Sequence, residues 1–247
     1  MAEDRVRRGQ KVVSDQGPPR AARFDKFFDK IYCVNLDDRP GRWKVAKKRF
    51  KKLNLNVERF SAAGPKDDEV KESFLNLSKI KARGGNQNLG PAVIKSLPVM
   101  GCLISHIRIL KKALSAGHKR ILILEDDVIF AKAFMKRTDK IYNIKNWDLL
   151  YLGSSQHSWK KINTKEAKKD GFYKSWMSTG TFAYAINSSA FEPLIKLLSG
   201  KKYPVDHYLT IFQSQRYKSL CYTLYPHIVI SDVTKSDIRR GRSQSIY

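Results

Sequence analysis

One stretch constrains the fold more than any other. The run Ile121-Leu122-Ile123-Leu124 passes straight into Glu125, Asp126 and Asp127, and Val128, Ile129 and Phe130 follow. Four aliphatic residues are too few for a buried helix, and branched side chains favour a strand. A run with no polar alternation is a strand covered on both faces, as in a parallel sheet. The three acids then fall at its carboxyl end, the rim on which open α/β sheets bind their ligands. Adjacent carboxylates repel one another, so a cation or a set of donors must compensate them. Oxygen ligands of this kind suit Mg²⁺ or Mn²⁺. A charged strand exit on the surface is the plainer alternative.

The rest of the chain reads as an α/β pattern around that strand. Ile31 to Leu36 is an apolar strand, and Asp37 to Gly41 is a turn. Trp43, Ala46, Phe50 and Leu53 recur at helical spacing, and Leu55 to Phe60 is a second strand. This β-α-β order predicts a right-handed crossover between parallel strands. It also places Asn35 and Arg39 on the ligand rim, where Arg39 and Arg42 have the planar donors that suit a diphosphate. Residues 61 to 98 read as irregular, with a glycine-rich loop at 84 to 91. No Lys-Ser/Thr follows it, so it is not a P-loop.

Val99, Leu103, Ile107, Leu110 and Leu114 form a helical stripe that carries Ser105 and His106. Cys102 and His106 stand four apart on it, and two ligands alone make a weak metal case. Strands follow at 147 to 153, 180 to 186 and 220 to 225. The stretch 154 to 177 reads as a long loop whose Trp159, Phe172, Tyr173 and Trp176, set among lysines, either stack on bases or sugars or, as the default, anchor it to the body. Ser189 and Glu192 fit a capping box for the next helix. Asp206 opens a further helix, as its N-cap or as a carboxylate presented at a helix start.

Composition narrows the class. With 247 residues and 42% hydrophobic content the chain can build one large α/β domain. Lys and Arg total 48 against 23 acids, for a net charge of +25. Such an excess points either to an acidic partner, whether nucleic acid, an anionic membrane surface or a phosphorylated substrate, or to no more than a solvated lysine-rich surface. The three cysteines are far apart and odd in number, which excludes a disulfide framework and suits a reducing compartment. The amino terminus lacks the apolar core of a signal peptide, and no run reaches membrane-spanning length. The expectation is a cytoplasmic protein that touches a membrane, if at all, through its basic surface. Residues 1–26 are expected to be a disordered basic tail, 27–239 the folded domain, and 240–247 a basic tail.

Seven short motifs in order resemble one family. They are Val34-Asn35-Leu36-Asp37 with Arg39, Arg42 and Trp43; Gly101-Cys102 with Ser105-His106; Leu124-Glu125-Asp126-Asp127; Trp147-Asp148 with Tyr151-Leu152-Gly153; Gly180-Thr181 with Tyr184; Asp206 with Leu209; and Ser236-Asp237-Ile238. Together, over about Phe27 to Arg239, they resemble glycosyltransferase family 25, which includes lipooligosaccharide and collagen galactosyltransferases. One departure is the turn after the second strand. The family often has an acid there, and this chain has Ala62-Ala63-Gly64.

The resemblance implies a single-domain, GT-A-like nucleotide-sugar transferase fold, a mixed, mostly parallel sheet flanked by helices. It implies a UDP-sugar donor carrying galactose or glucose, Mn²⁺ (or Mg²⁺), inversion at the anomeric carbon, and a glycan, lipooligosaccharide or protein hydroxyl as acceptor. The family's E-D-D implies Asp127 as the direct metal ligand, with Asp126 or Glu125 beside it. Glu125 and Asp126 then contact the donor, and Asp237 supplies a further ligand, with Asp232 and His227 as alternatives. Asn35, Arg39, Ser105 and His106 are candidates to orient the donor, and Asp206 is the candidate base. Two rivals are a basic nucleic-acid-binding protein and a metal-dependent nuclease or phosphatase. The first gives no reason for three acids at a strand end, so no specific nucleic acid is expected. The second needs more clustered His and Asp than the chain holds.

Overall fold

The structure, a computed structural model, describes residues 20–82, 90–157, 159–214 and 220–232. Its centre is a seven-stranded sheet. From one edge to the other the strands are β2 (Glu58–Ser61), β1 (Lys30–Asn35), β3 (Arg120–Glu125), β9 (Ala183–Asn187), β5 (Leu149–Tyr151), β10 (Cys221–Leu224) and β7 (Phe172–Lys174). β1 pairs parallel with both β2 and β3, and β5 pairs parallel with β10. β9 and β7 run against their neighbours. Five strands therefore share one direction, as expected of a mostly parallel sheet.

The central strand is covered on both faces, and its side chains alternate between two cores. Ile121 and Ile123 join the cluster that contains Tyr151, Tyr184 and Leu103. Leu122 and Leu124 join the opposite cluster, with Phe24, Phe50 and Trp147. α4 (Leu97–Ser115), α7 (Phe191–Leu198) and α8 (Val205–Ser214) pack on the first face. α2 (Pro40–Lys52) packs on the second, burying Ala46 and Phe50 and leaving its lysines in water.

Four stretches differ from the sequence expectations. Residues 20 to 26 are not tail but helix α1 (Arg20–Phe27). Phe24 is fully buried, edge-on to Phe28 and Phe134, so aromatic packing holds a segment whose composition reads as solvated. Within 61 to 98, expected to be irregular, lies α3 (Asp68–Ala82). Asp68 and Glu69 sit in its first turn, where the helix dipole favours acids, and Val70 and Leu77 are buried against α4. The stretch 154 to 177 contains α6 (Thr164–Asp170). Asn163 caps it by accepting the Glu166 N–H, and Gly171 ends it at a left-handed φ of 86°. The capping box at Ser189 does not form, because the Ser189 hydroxyl donates to buried Asp148 instead.

The carboxyl-terminal part returns to the rim of the sheet. β4 (Val128–Phe130) follows the three acids and pairs antiparallel with β11 (Val229–Ser231), which places Ser231 opposite Val128. Gly153 is required for this return, since a Cβ there would collide with the Val229 carbonyl. The termini 1–19 and 233–247 and most of the glycine-rich loop at 84–91 lie outside the described residues.

Candidate active site

β1 and β3 end at the same rim, with Val34 opposite Glu125. A cavity of about 300 Å³ opens there, between the strand ends and the start of α4. Its outer part is acidic. Asp126 and Asp127 are each only 8% exposed. The Asn35 side-chain amide donates to Asp126 Oδ2 at 2.6 Å, and its carbonyl oxygen accepts from Arg59 Nε at 2.8 Å. Asn35 therefore aims Asp126. The Arg42 guanidinium stands 2.5 Å from Asp126 and 3.6 Å from Asp127, a cation already placed between the two acids.

Asp127 is held from the other side by the small β4–β11 sheet. Its Oδ2 accepts from the Ser231 hydroxyl at 3.0 Å, and its backbone carbonyl accepts the Asp232 N–H at 3.0 Å. Its Oδ1 is buried and makes no hydrogen bond among the described residues. An anionic oxygen in that position is costly unless a cation or a proton meets it. Burial raises the Asp127 pKa above the usual carboxylate value, against the pull of Ser231 and Arg42. Asp232 joins Asp126, Asp127 and Arg42 around an adjoining hollow. The donors presented by these three acids are all oxygen, the chemistry that hard divalent ions take.

The inner wall is different in kind, and α4 supplies most of it. Gly101 lets the helix touch the turn after β2, because a Cβ there would collide with the Ala63 carbonyl. One turn on, the Ser105 hydroxyl accepts the Ala63 N–H at 2.8 Å and donates to the Gly101 carbonyl at 2.7 Å. Ser105, expected to orient the donor, instead clamps this turn to the helix. Cys102 and His106 lie on the cavity side. The His106 ring is fully buried, which lowers its pKa to about 4, so it is neutral near pH 7. Its Nδ1 is 2.6 Å from the Tyr184 hydroxyl, and its Nε2 has no partner among the described residues. Glu125 completes the wall. The Thr181 hydroxyl donates to it at 2.5 Å, and burial and then the charge of Asp127 push its pKa up to about 7.

Asn35, Arg39, Ser105, His106, Glu125, Asp126 and Asp127 all line the cavity. Arg39 is exposed at its edge and pairs with Asp38 at 3.8 Å. Asp206 is not among the lining residues. It occupies the first turn of α8, accepts the His207 N–H at 2.9 Å, and lies close enough that its charge raises the pKa values of Cys102 and Tyr151. It is not the N-cap, since the helix already starts at Val205. Asp237 lies outside the described residues. His227 is engaged elsewhere, 3.2 Å from the Tyr173 hydroxyl and packed on Trp159, where burial lowers its pKa to about 4. Trp159 also packs on Tyr173 and Tyr225, so these rings anchor their loop, as expected.

Residue-by-residue reading missed the supporting partners. Thr181 and Tyr184 were visible only as motif letters, and Arg59 and Ser231 carried no signal. Each acts from another strand, at a sequence distance that no local pattern spans.

Fold and site together define an α/β protein with a polar cavity and an acid cluster at the carboxyl rim of its sheet. The profile described as Glycosyltransferase family 25 (LPS biosynthesis protein) matches residues 28–209, most of the chain, and the protein belongs to that family. A Drosophila pseudoobscura protein named glycosyltransferase 25 family member is 26% identical over 81% of this chain and 34% of its own length. Human procollagen galactosyltransferase 2 is 26% identical over 76% and 31%. A human protein named inactive glycosyltransferase 25 family member 3 is 28% identical over 76% and 32%. The chain thus spans about a third of the relatives it matches. A solved glycosyltransferase involved in glycosylation of the major capsid of PBCV-1 superposes on 69% of this chain and 64% of its own, with a TM-score of 0.35 and 10% identity. No helix among the described residues is long and apolar enough to cross a membrane.

Proposed function

We propose that the protein is an active glycosyltransferase that moves a hexose, galactose or glucose, from a UDP-sugar to an acceptor hydroxyl with inversion. The observation that carries this reading is the Asp127 Oδ1, buried and unpartnered among the described residues, in a cluster with Asp126 and Asp232 at the mouth of the cavity. In this family's setting such an oxygen awaits a hard cation. Asp127, Asp126 and Asp232 would hold Mn²⁺ or Mg²⁺, with Asp237 in the same terminal segment as a further candidate. When bound, the ion supplies charge that offsets the departing diphosphate.

The chain's own residues do the rest. Arg42 and Arg39 present planar donors to phosphate oxygens at the cavity edge. Asn35 fixes Asp126. Glu125, held at the cavity by Thr181, meets a donor hydroxyl. Asp206 stands behind the cavity wall, near enough for its charge to act on Cys102 of that wall, and is assigned the acceptor proton, a role that contributes about 10²–10⁴-fold. Ala62, Ala63 and α4 close the inner side and keep water from the sugar carbon. The acceptor is a glycan, lipooligosaccharide or protein hydroxyl, and the net charge of +25 favours acidic donors and acceptors and contact with anionic membranes.

UDP release is measured with UDP-galactose and UDP-glucose, with and without Mn²⁺, for the native chain, Asp127→Asn and Asp206→Asn. Metal-dependent release that both substitutions cut by at least about tenfold supports the mechanism. Undiminished activity in Asp127→Asn removes the acid cluster from it. No release by the native chain with any UDP-sugar, together with no thermal stabilisation by UDP and Mn²⁺, removes the reading altogether.

A further inference from the structure

The inner wall of the cavity has a chemistry that a sugar nucleotide does not require. The Cys102 Sγ, a His106 ring nitrogen and a Glu125 carboxylate oxygen all lie within 4.8 Å of one another. We propose that these three side chains form a second metal site, for a thiophilic divalent ion such as Zn²⁺, separate from the oxygen-only acids at the mouth.

Four observations carry it. First, Cys102 and His106 are one helical turn apart on α4, so both reach the same side. The sequence supplied only that pair. The end of β3 brings the third donor. Second, the His106 ring is fully buried, and its Nε2 has no partner among the described residues, although a buried ring nitrogen without one is costly. Nδ1 is already matched with the Tyr184 hydroxyl, so a proton on Nδ1 donated to that oxygen leaves the Nε2 lone pair for a ligand. Metal-binding histidines are usually oriented in this way.

Third, Thr181 orients the other two. Its hydroxyl bonds Glu125 at 2.5 Å and also contacts Cys102. Fourth, the spacing is close to that of a site. Zinc bonds of about 2.0–2.3 Å hold tetrahedral donors about 3.3–3.8 Å apart, so side chains now within 4.8 Å must close by at most about 1.5 Å. Binding releases to solvent the thiol proton and, below about pH 7, the proton that Glu125 holds, and three protein ligands leave a fourth position open toward the cavity.

The mixed donor set decides the ion. Thiolate and imidazole favour zinc over Mn²⁺ or Mg²⁺, whereas the carboxylates at the mouth have the opposite preference. The inference stands on this cluster and does not need the transferase reading.

Co²⁺ is added to the full chain, and the near-ultraviolet absorption of a thiolate–cobalt bond is followed, then displaced by Zn²⁺. The expected result is one absorbing Co²⁺ per chain, removed by one equivalent of Zn²⁺ and absent in Cys102→Ser. Glu125→Gln, which keeps the shape and the Thr181 contact, is expected to weaken Zn²⁺ binding at least tenfold. Tyr184→Phe is expected to weaken it by about 10–100-fold, the usual effect of losing a ligand's outer partner. No thiolate absorption in the native chain overturns the site. Absorption that survives Cys102→Ser overturns it too, by assigning the metal to Cys33 or Cys221. If Cys102→Ser does not fold, unchanged Zn²⁺ affinity in Glu125→Gln is the overturning result.

Discussion

The mouth and the inner wall of one cavity are built from opposite materials. At the mouth, Asp126 and Asp127 are neighbours in sequence, charged, and countered by Arg42. On the inner wall, Cys102, His106 and Glu125 come from a helix and a strand, and the ring at their centre is neutral. The mouth is hard and ionic, whereas the inner wall is soft and close to uncharged. Glu125 is the hinge between them. It belongs to the acid run by sequence and to the thiol and imidazole by position. Three consecutive residues can therefore serve two chemistries, because successive side chains leaving a strand point to different sides.

That contrast breaks most sharply under single substitutions at each end. Asp127→Asn is expected to lower kcat/KM for sugar transfer by about 10²–10³-fold, comparable to losing a main electrostatic element at a reacting centre. It should also abolish the thermal stabilisation by UDP with Mn²⁺ while leaving the thiolate–cobalt absorption intact. Cys102→Ser is expected to do the reverse in the metal readouts. If either substitution removes both signals, the two ends are one site.

A smaller effect concerns Glu125 and pH. Its folded pKa is raised from 4.5 to about 7, so the folded state holds a proton that the unfolded chain has lost. The folded state therefore binds more protons between about pH 4.5 and 7, and this residue's contribution to stability declines across that window. Glu125→Gln should gain stability relative to the native chain as pH rises from 4.5 to 7, by on the order of 2–3 kcal/mol in EDTA. Thermal melts of the two proteins across that range check it. A constant difference places the Glu125 charge in water and dissolves the distinction between the ends.

Gly101→Ala should come next. The added Cβ meets the Ala63 carbonyl, so α4 and the turn must part. The expected cost is about 1–3 kcal/mol of stability, together with weaker Co²⁺ absorption as Cys102 and His106 move away from Glu125. Ser231→Ala should have the smallest effect, within about 1 kcal/mol by denaturant unfolding, because it removes one part-buried hydrogen bond to Asp127. It should raise the Mn²⁺ requirement and leave Co²⁺ absorption alone.

Much of this was legible in the residues. The apolar run Ile121 to Leu124, the β-α-β opening and the stripe along α4 all carry periods that only one element satisfies. The elements that escaped had weaker signals. In α3 the positions Val70, Phe74 and Leu77 do repeat at helical spacing, but glycines and prolines on either side made the whole interval read as loop. α1 is short and basic, and only the contacts of Phe24 with Phe28 and Phe134 account for its order. The place of Ser105 in a motif marks it as a ligand group, whereas its hydroxyl is committed to Ala63 and Gly101. Asp206 stands at a helix start, which the sequence shows, but behind the cavity wall rather than on it, which the sequence does not.

The residues alone determined which strand is central, which rim bears the acids, and that the helix carrying Gly101 to His106 is amphipathic, since hydrophobic period and local charge are properties of neighbours along the chain. Only the tertiary structure decided that Asp232 rather than a more distant acid stands beside Asp127 among the described residues, that Arg42 bridges two carboxylates, and that a thiol and an imidazole from α4 meet Glu125. Those contacts join positions up to about a hundred residues apart. Pairings of that kind are set by strand register and helix packing, which burial of the two cores fixes as a whole.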